Sequence, residues 1–408
     1  MRNRRFIYLG SFLLAFSGLA WAQQAQRAEP RPSSSQEWRQ IAPGLEHLQM
    51  LRGQKTEKVE TGPWFINALR VDTAKMRFQI VHAMDEAIGL ETVSEMAQRY
   101  GAVAGINGGF FQMNGRYKGD SVGALMINGR LFSEPYGKRT AIGFAPGDEM
   151  TQIAIGVLDW NGRLVVSELA PQSSVLAQTE NKVAMLNGLN RPLGPDEMIL
   201  YTPDFHRTLL MSADTGTHLV YIGGGQIYQP FLPPSEEIRI PCDGYILAAQ
   251  GKAAEWTRKM LLPGAKVSLD QSFWPAEPEG RARWVDVKQI VAGGPRLLLK
   301  GSLDIRPEKE GFSPEFAETW HPRTALGRTL DGKALLLTVD GRQPNLSAGM
   351  SLEMLAKLLH ELGAQDAANL DGGGSTTMYL QGKIVNSPSD KTGERPVSDA
   401  ILLFPRVR

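Results

Sequence analysis

Residues 351–377, SLEMLAKLLHELGAQDAANLDGGGSTT, hold a helix, a strand and a glycine turn in succession, and their reading decides the fold. Leu352, Leu355, Leu358, Leu359 and Leu362 fall on one face at helical spacing, with Ser351 placed to cap the start and Gly363 to end it. A strand then leads to Asn369-Leu370-Asp371-Gly372-Gly373-Gly374-Ser375-Thr376-Thr377. The same order occurs earlier. Thr92 and Glu95 form a capping-box pattern, Gly101 closes that helix, and Ala102-Val103-Ala104-Gly105-Ile106 reads as a buried strand ending at Asn107-Gly108-Gly109-Phe110-Phe111. Arg139-Thr140-Ala141-Ile142-Gly143 also echoes Arg323-Thr324-Ala325-Leu326-Gly327, so the two units read as an internal pseudo-repeat with a cleft between its halves.

Outward from these units the chain is a series of short apolar runs bounded by turn residues. Trp64–Val71 and Arg77–Ala83, separated by Asp72-Thr73-Ala74-Lys75, suit a hairpin. Asn128-Gly129 lies between Gly123–Ile127 and Arg130–Phe132, and Asn161-Gly162 between Ala154–Leu158 and Arg163–Val166; Asn-Gly favours the positive φ of tight hairpin turns. The fold class expected is α+β: mixed, largely antiparallel sheets with flanking helices. One catalytic domain is expected over residues 41–408, elaborated at about 160–290.

Composition narrows the class. In 408 residues, 44 Lys plus Arg balance 43 Asp plus Glu, which removes the electrostatic reason to expect nucleic acid or a membrane surface as partner. Residues 1–22 read as a signal peptide: Arg2, Arg4 and Arg5 precede the apolar stretch Phe6–Leu19, and Ala20-Trp21-Ala22 has the small-x-small cleavage pattern. That stretch is shorter than the ~20 residues a membrane span needs. Residues 23–40, rich in Gln, Pro, Arg and Ser, read as a flexible leader. Cys242 is the single cysteine, so no intramolecular disulfide is available. A bacterial periplasmic or secreted protein is expected, without stable membrane insertion once the signal is removed.

The densest chemistry lies in Asn369–Thr377. Glycines let backbone approach closely and let successive N–H groups point at one anion, so this segment reads as a phosphate or oxyanion cradle. It is not a P-loop, because no Lys follows the glycines. Arg296 and Arg323 could fork onto a phosphate, against the usual fate of an arginine in surface ion pairs. His321 either moves protons or orients a neighbour. Asp340 either closes a turn or takes part in chemistry. Metal ligation through Asp340 and Asp371 lacks a supporting His/Cys or EF-hand spacing; no cofactor is predicted, and a structural calcium remains open.

Together Asn107-Gly-Gly-Phe-Phe, Gly293-Gly-Pro-Arg-Leu-Leu, Arg323-Thr-Ala-Leu-Gly, Thr338-Val-Asp-Gly-Arg and Asn369-Leu-Asp-Gly-Gly-Gly-Ser-Thr-Thr-Met resemble the phosphodiester glycosidase family, from about Trp64 to Phe404. The resemblance implies hydrolysis of a sugar joined through C1 to a phosphodiester. It would make Asp371 the essential carboxylate, as base or nucleophile, with Asp340 and His321 as further catalytic candidates. Asn107 and Asn369 would position hydroxyls or water, while Gly108, Arg296, Arg323, Gly372, Gly373, Gly374, Ser375 and Thr376 would bind substrate. The substrate expected is a sugar-phosphate-containing glycan or small phosphodiester. Two other readings fit the same cradle: a phosphodiesterase breaking P–O, and a non-catalytic module binding phosphorylated glycans.

Overall fold

Ala334–Val339 is buried on both faces, and its alternation shows how the layers are built. Leu335, Leu337 and Val339 point to one core with Ile66, Ala68 and Ala325, which the helix Leu352–Glu361 covers through Leu352, Leu355, Ala356, Leu358 and Leu359. Ala334 and Leu336 point the other way, into a second core. That core is shared with Ile80, Ile106, Ile401 and Leu403 of another sheet and with Ile142, Phe144, Ile153 and Val291 of a third. This computed structural model describes residues 37–54, 61–86, 88–135, 137–167, 181–210, 216–229 and 237–406. The signal-peptide reading lies outside them, as does all but the end of the leader, where a strand already begins at Arg39.

The first sheet has eight strands in the order Arg39–Ala42, Leu45–Arg52, Trp64–Val71, Ala334–Val339, Arg323–Thr329, Ala364–Asn369, Arg296–Leu299 and Ser302–Leu303. The second has five: Lys383–Ile384, Met378–Leu380, Ala104–Asn107, Asp399–Pro405 and Met76–His82. Val93–Tyr100 covers its outer face, packing Val93, Met96 and Ala97 on Val81, Leu402 and Phe404. Its capping box and its left-handed Gly101 are as the sequence predicts. A twelve-stranded sheet holds most of the middle segment. Among the described pairings only Gly188–Leu189 with Met198–Tyr201 is parallel.

The chain is therefore sheet-rich, 45% strand and 15% helix, mostly β rather than plainly α+β. Two of the three expected hairpins do not form. Trp64–Val71 is paired on one edge by Leu45–Arg52 and on the other by Ala334–Val339, which leaves no edge for the strand that follows it. Met76–His82 passes instead into the five-stranded sheet. Gln152–Ser167 is one continuous strand, matched through Asn161 and Gly162 by Lys266–Pro275. The Asn128-Gly129 hairpin does form, with φ of 52° and 80° at its two turn residues.

Candidate active site

Asn107 ends a strand of the five-stranded sheet and Asn369 a strand of the eight-stranded one, and the glycine turns that follow are tied together. The Asn107 amide donates to the Asp371 carbonyl at 2.7 Å, and the Asp371 N–H donates to the Gly108 carbonyl at 3.1 Å. Asn107 Oδ1 accepts from the Thr324 hydroxyl at 2.8 Å and from the Thr377 N–H at 3.1 Å. Asn369 donates to the carbonyls of Gly294 and Leu370, each at 2.8 Å. Both asparagines are fully buried. They hold the loop rather than face a ligand, which corrects the expectation that they position hydroxyls or water.

Above this base lies a cavity of about 290 Å³ lined by Asp371, the three glycines 372–374, His321, Arg323, Arg342, Arg395 and Phe316. Asp371 Oδ1 accepts the Gly372 N–H at 2.9 Å. Burial pushes the carboxyl up to about 6; the Ser375 hydroxyl, the Gly372 N–H and the Arg395 charge oppose that, and Asp399 adds to it. Arg323 is fully buried and donates to the carbonyls of Met350, Phe316 and Thr319, with no carboxylate partner among the described residues. Burial, with the Arg342 charge beside it, lowers its pKa to about 10, so it stays cationic at neutral pH. The His321 ring is held below its ordinary pKa by burial and by Arg323 and Arg342. Its Nδ1 lies 3.3 Å from an Arg342 nitrogen. A guanidinium can only donate, so Nδ1 accepts and Nε2 carries the proton of a neutral ring.

The glycines have separate physical reasons. Gly373 has φ of 62°, where other residues are strained. A Cβ on Gly374 would sit 2.3 Å from the Arg395 guanidinium, so a side chain there would displace that arginine. Arg395 is held against the loop by Asp390 at 2.6 Å, and its Nη1 reaches toward the Ser375 hydroxyl at 3.5 Å.

Several expected site residues lie elsewhere. Arg296 is buried away from the cavity, bonded to Glu277 through both terminal nitrogens at 2.6 and 2.8 Å and to Asp304 through Nε at 2.6 Å. The ion-pair reading wins there. Asp340 is fully buried; it accepts from Asn386 at 2.9 Å and the Ser387 N–H at 2.7 Å, and burial raises its pKa to about 7 despite them. It acts through Asn386, which donates to the Thr376 carbonyl at 3.0 Å, and so supports the loop's far end without lining the cavity. Ser375 and Thr376 are buried within the loop, where the Ser375 hydroxyl supports Asp371 from behind, and Gly108 lies against Asp399, whose Oδ1 accepts the Gly109 N–H at 2.8 Å. Among the described residues, no three His, Cys, Asp or Glu side chains gather into a metal-holding group.

Arg342, Arg395, Phe316 and Asp399 are the residues missed. Arg342 closes the quoted Thr338–Arg342 motif, which places it one turn beyond the strand that ends at Val339. Arg395 and Phe316 carry no local pattern that separates them from other surface residues.

Residues 224–404 match the family model described as phosphodiester glycosidase, so the resemblance holds over that part of the chain. A 111-residue stretch is 34% identical to the mouse N-acetylglucosamine-1-phosphodiester alpha-N-acetylglucosaminidase, covering 25% of this chain and 21% of that enzyme. The chain spans about a fifth of the length of the curated relatives it matches. A hypothetical protein from Synechocystis shares the fold at TM-score 0.73, with 22% identity over 92% of this chain and 64% of that one. A Burkholderia pseudomallei K96243 protein aligns at TM-score 0.68, with 26% identity over 85% of this chain and 74% of that one.

Proposed function

We propose that this chain is an exported hydrolase that cleaves the C1–O bond of sugar-1-phosphodiesters in envelope or extracellular glycans. The observation that carries the reading is a lone cleft carboxylate, Asp371, set among Arg323, Arg342 and Arg395 over a glycine loop. Arg323 and Arg342 bring positive charge with no carboxylate partner among the described residues, which suits a phosphodiester anion, while Arg395 is paired with Asp390 at the cleft's edge. His321 offers its Nε2–H as a further donor. Phe316 supplies an apolar wall beside them, backed by Phe312 at a ring spacing of 5.0 Å. These groups would stabilise charge as it builds on the departing phosphate oxygen, which therefore leaves without a strong acid.

With a pKa near 6, Asp371 is mostly ionised at neutral pH yet basic enough to take a proton from water, and it can also attack C1 itself. Overall a C1–O bond forms to water's oxygen, the C1–O(phosphate) bond breaks with its electron pair passing to phosphate, and one proton is released. The alikeness of the two helix–strand–glycine units, one per sheet, supports a pseudo-repeat as the origin of the cleft. Export rests on the pattern of residues 1–22, and among the described residues no helix is long and apolar enough to cross a membrane.

The test is hydrolysis of a panel of sugar-1-phosphodiesters in ¹⁸O-water. Label in the free sugar and none in the phosphate is expected. Label in the phosphate would establish P–O cleavage, and no release from any substrate would favour a binding module.

A further inference from the structure

A second cavity, of about 350 Å³, lies in the middle segment and shares no lining residue with the Asp371 cleft. Its floor is the antiparallel pair Gln152–Ser167 and Lys266–Pro275, in which Trp160 stands directly opposite Phe273 and, one step along the same face, Gly162 opposite Gln271. Gly162 is there for the indole: a Cβ would lie 2.4 Å from the Trp160 ring, so only glycine lets the ring settle across the strand. The Asn161-Gly162 pair, which reads as a hairpin turn, thus serves to seat an aromatic side chain.

The indole N–H of Trp160 is buried and has no acceptor among the described residues. Leaving a buried donor unpaired is unfavourable, and native folds tolerate one where the side chain's placement answers to something besides stability. Across the cavity Asp204 is bonded to Arg130 at 2.6 Å, and Tyr245 and the exposed Gln271 complete the walls.

We propose that this cavity binds a neutral pyranose unit of a glycan. A pyranose presents a face of polarised C–H groups that suits the negative face of an aromatic ring, and equatorial hydroxyls that suit a carboxylate and an amide at the edge. Arg130 is already neutralised by Asp204, so the cavity offers no uncompensated cation to a phosphate or uronate, unlike the Asp371 cleft. Holding a polymer at a second point would raise the local concentration of its linkages at that cleft. The binding claim itself does not depend on the chemistry assigned to Asp371.

The test titrates the full chain carrying Asp371→Asn with cellotetraose, maltotetraose, mannotetraose and chitotetraose, by calorimetry. At least one should bind with Kd of about 1 mM or tighter. Trp160→Ala should weaken it at least ~10-fold, Gln271→Ala about 3-fold, and Trp160→Phe far less than the alanine change. Absence of binding by all four sugars at about 10 mM, or binding left unchanged by Trp160→Ala and Gln271→Ala, overturns the proposal. If Trp160→Ala fails to fold, Gln271→Ala decides, because that side chain is exposed and its loss leaves the core intact. A chain that releases no sugar from any phosphodiester but still binds a neutral tetraose in this way refutes the proposed hydrolysis and supports this site.

Discussion

Arg296 and Arg323 open two strands that flank Ala364–Asn369 on either side, both buried, and they meet opposite fates. Arg296 is enclosed by the carboxylates of Glu277 and Asp304; burial alone would lower its pKa, but those partners lift it above the ordinary value. Arg323, buried, has carbonyl partners, the Phe316 ring and an arginine neighbour but no carboxylate among the described residues, so burial and the Arg342 charge lower its pKa. Carbonyls satisfy a guanidinium's N–H groups without cancelling its charge, whereas carboxylates do both. The lesson is that a buried arginine is available to an anion only when the groups that position it are neutral.

The largest effect expected concerns Asp371, the carboxylate in the cleft that Arg323 and Arg342 line. Asp371→Asn keeps the shape and should lower turnover by at least ~10²-fold, measured as sugar release. Stability should move the other way. The folded pKa of about 6 lies above the ordinary aspartate value of 3.8, so the fold disfavours the ionised form, losing stability as pH rises from about 4 to 6. The Asn variant should therefore melt at a higher temperature than the unmodified protein at pH 7, with the difference closing below about pH 4. A variant that stays folded and fully active would remove Asp371 from the mechanism.

Next comes the direct break of the comparison. Arg323→Ala should raise KM for a sugar phosphodiester and weaken inhibition by inorganic phosphate by roughly 10-fold or more, the size of one lost charged hydrogen bond. Arg296→Met should leave both unchanged within about 2-fold and instead lower stability by up to about 3 kcal/mol in urea unfolding, because Asp304 stays buried with one partner fewer. Equal effects on phosphate handling would erase the distinction drawn between the two arginines.

The smallest effect sharpens it. Arg342→Ala removes one of the charges that hold His321 below its ordinary pKa, so the His321 ring should titrate at higher pH in proton NMR. An unmoved titration would mean that burial and the Arg323 charge, the two larger causes, hold the ring down without Arg342.

Much of this was legible in the chain. The caps at Thr92 and Ser351, the glycine ends of both helices and the glycine turn after Asp371 depend on neighbours within a few residues, where backbone geometry and side-chain type decide the outcome. Local chemistry also shows that a turn rich in Gly, Ser and Thr after a buried strand can face an anion. It cannot show which arginines come to it.

That choice depends on pairing between distant strands. Trp64–Val71 pairs with the strand just before it and with Ala334–Val339 from far along the chain, which leaves no edge for the local hairpin with the strand that follows, and Gly162 makes room for a ring instead of turning the strand. Arg296 and Arg323 look alike in sequence because the difference lies in Glu277, Asp304, Phe316, Thr319 and Met350, which only the folded sheets bring against them. The sequence by itself determined the two capped helices and the carboxylate beside its glycine loop; the tertiary structure alone decided which charges remain uncompensated around it, because compensation is a property of contacts and not of residue type.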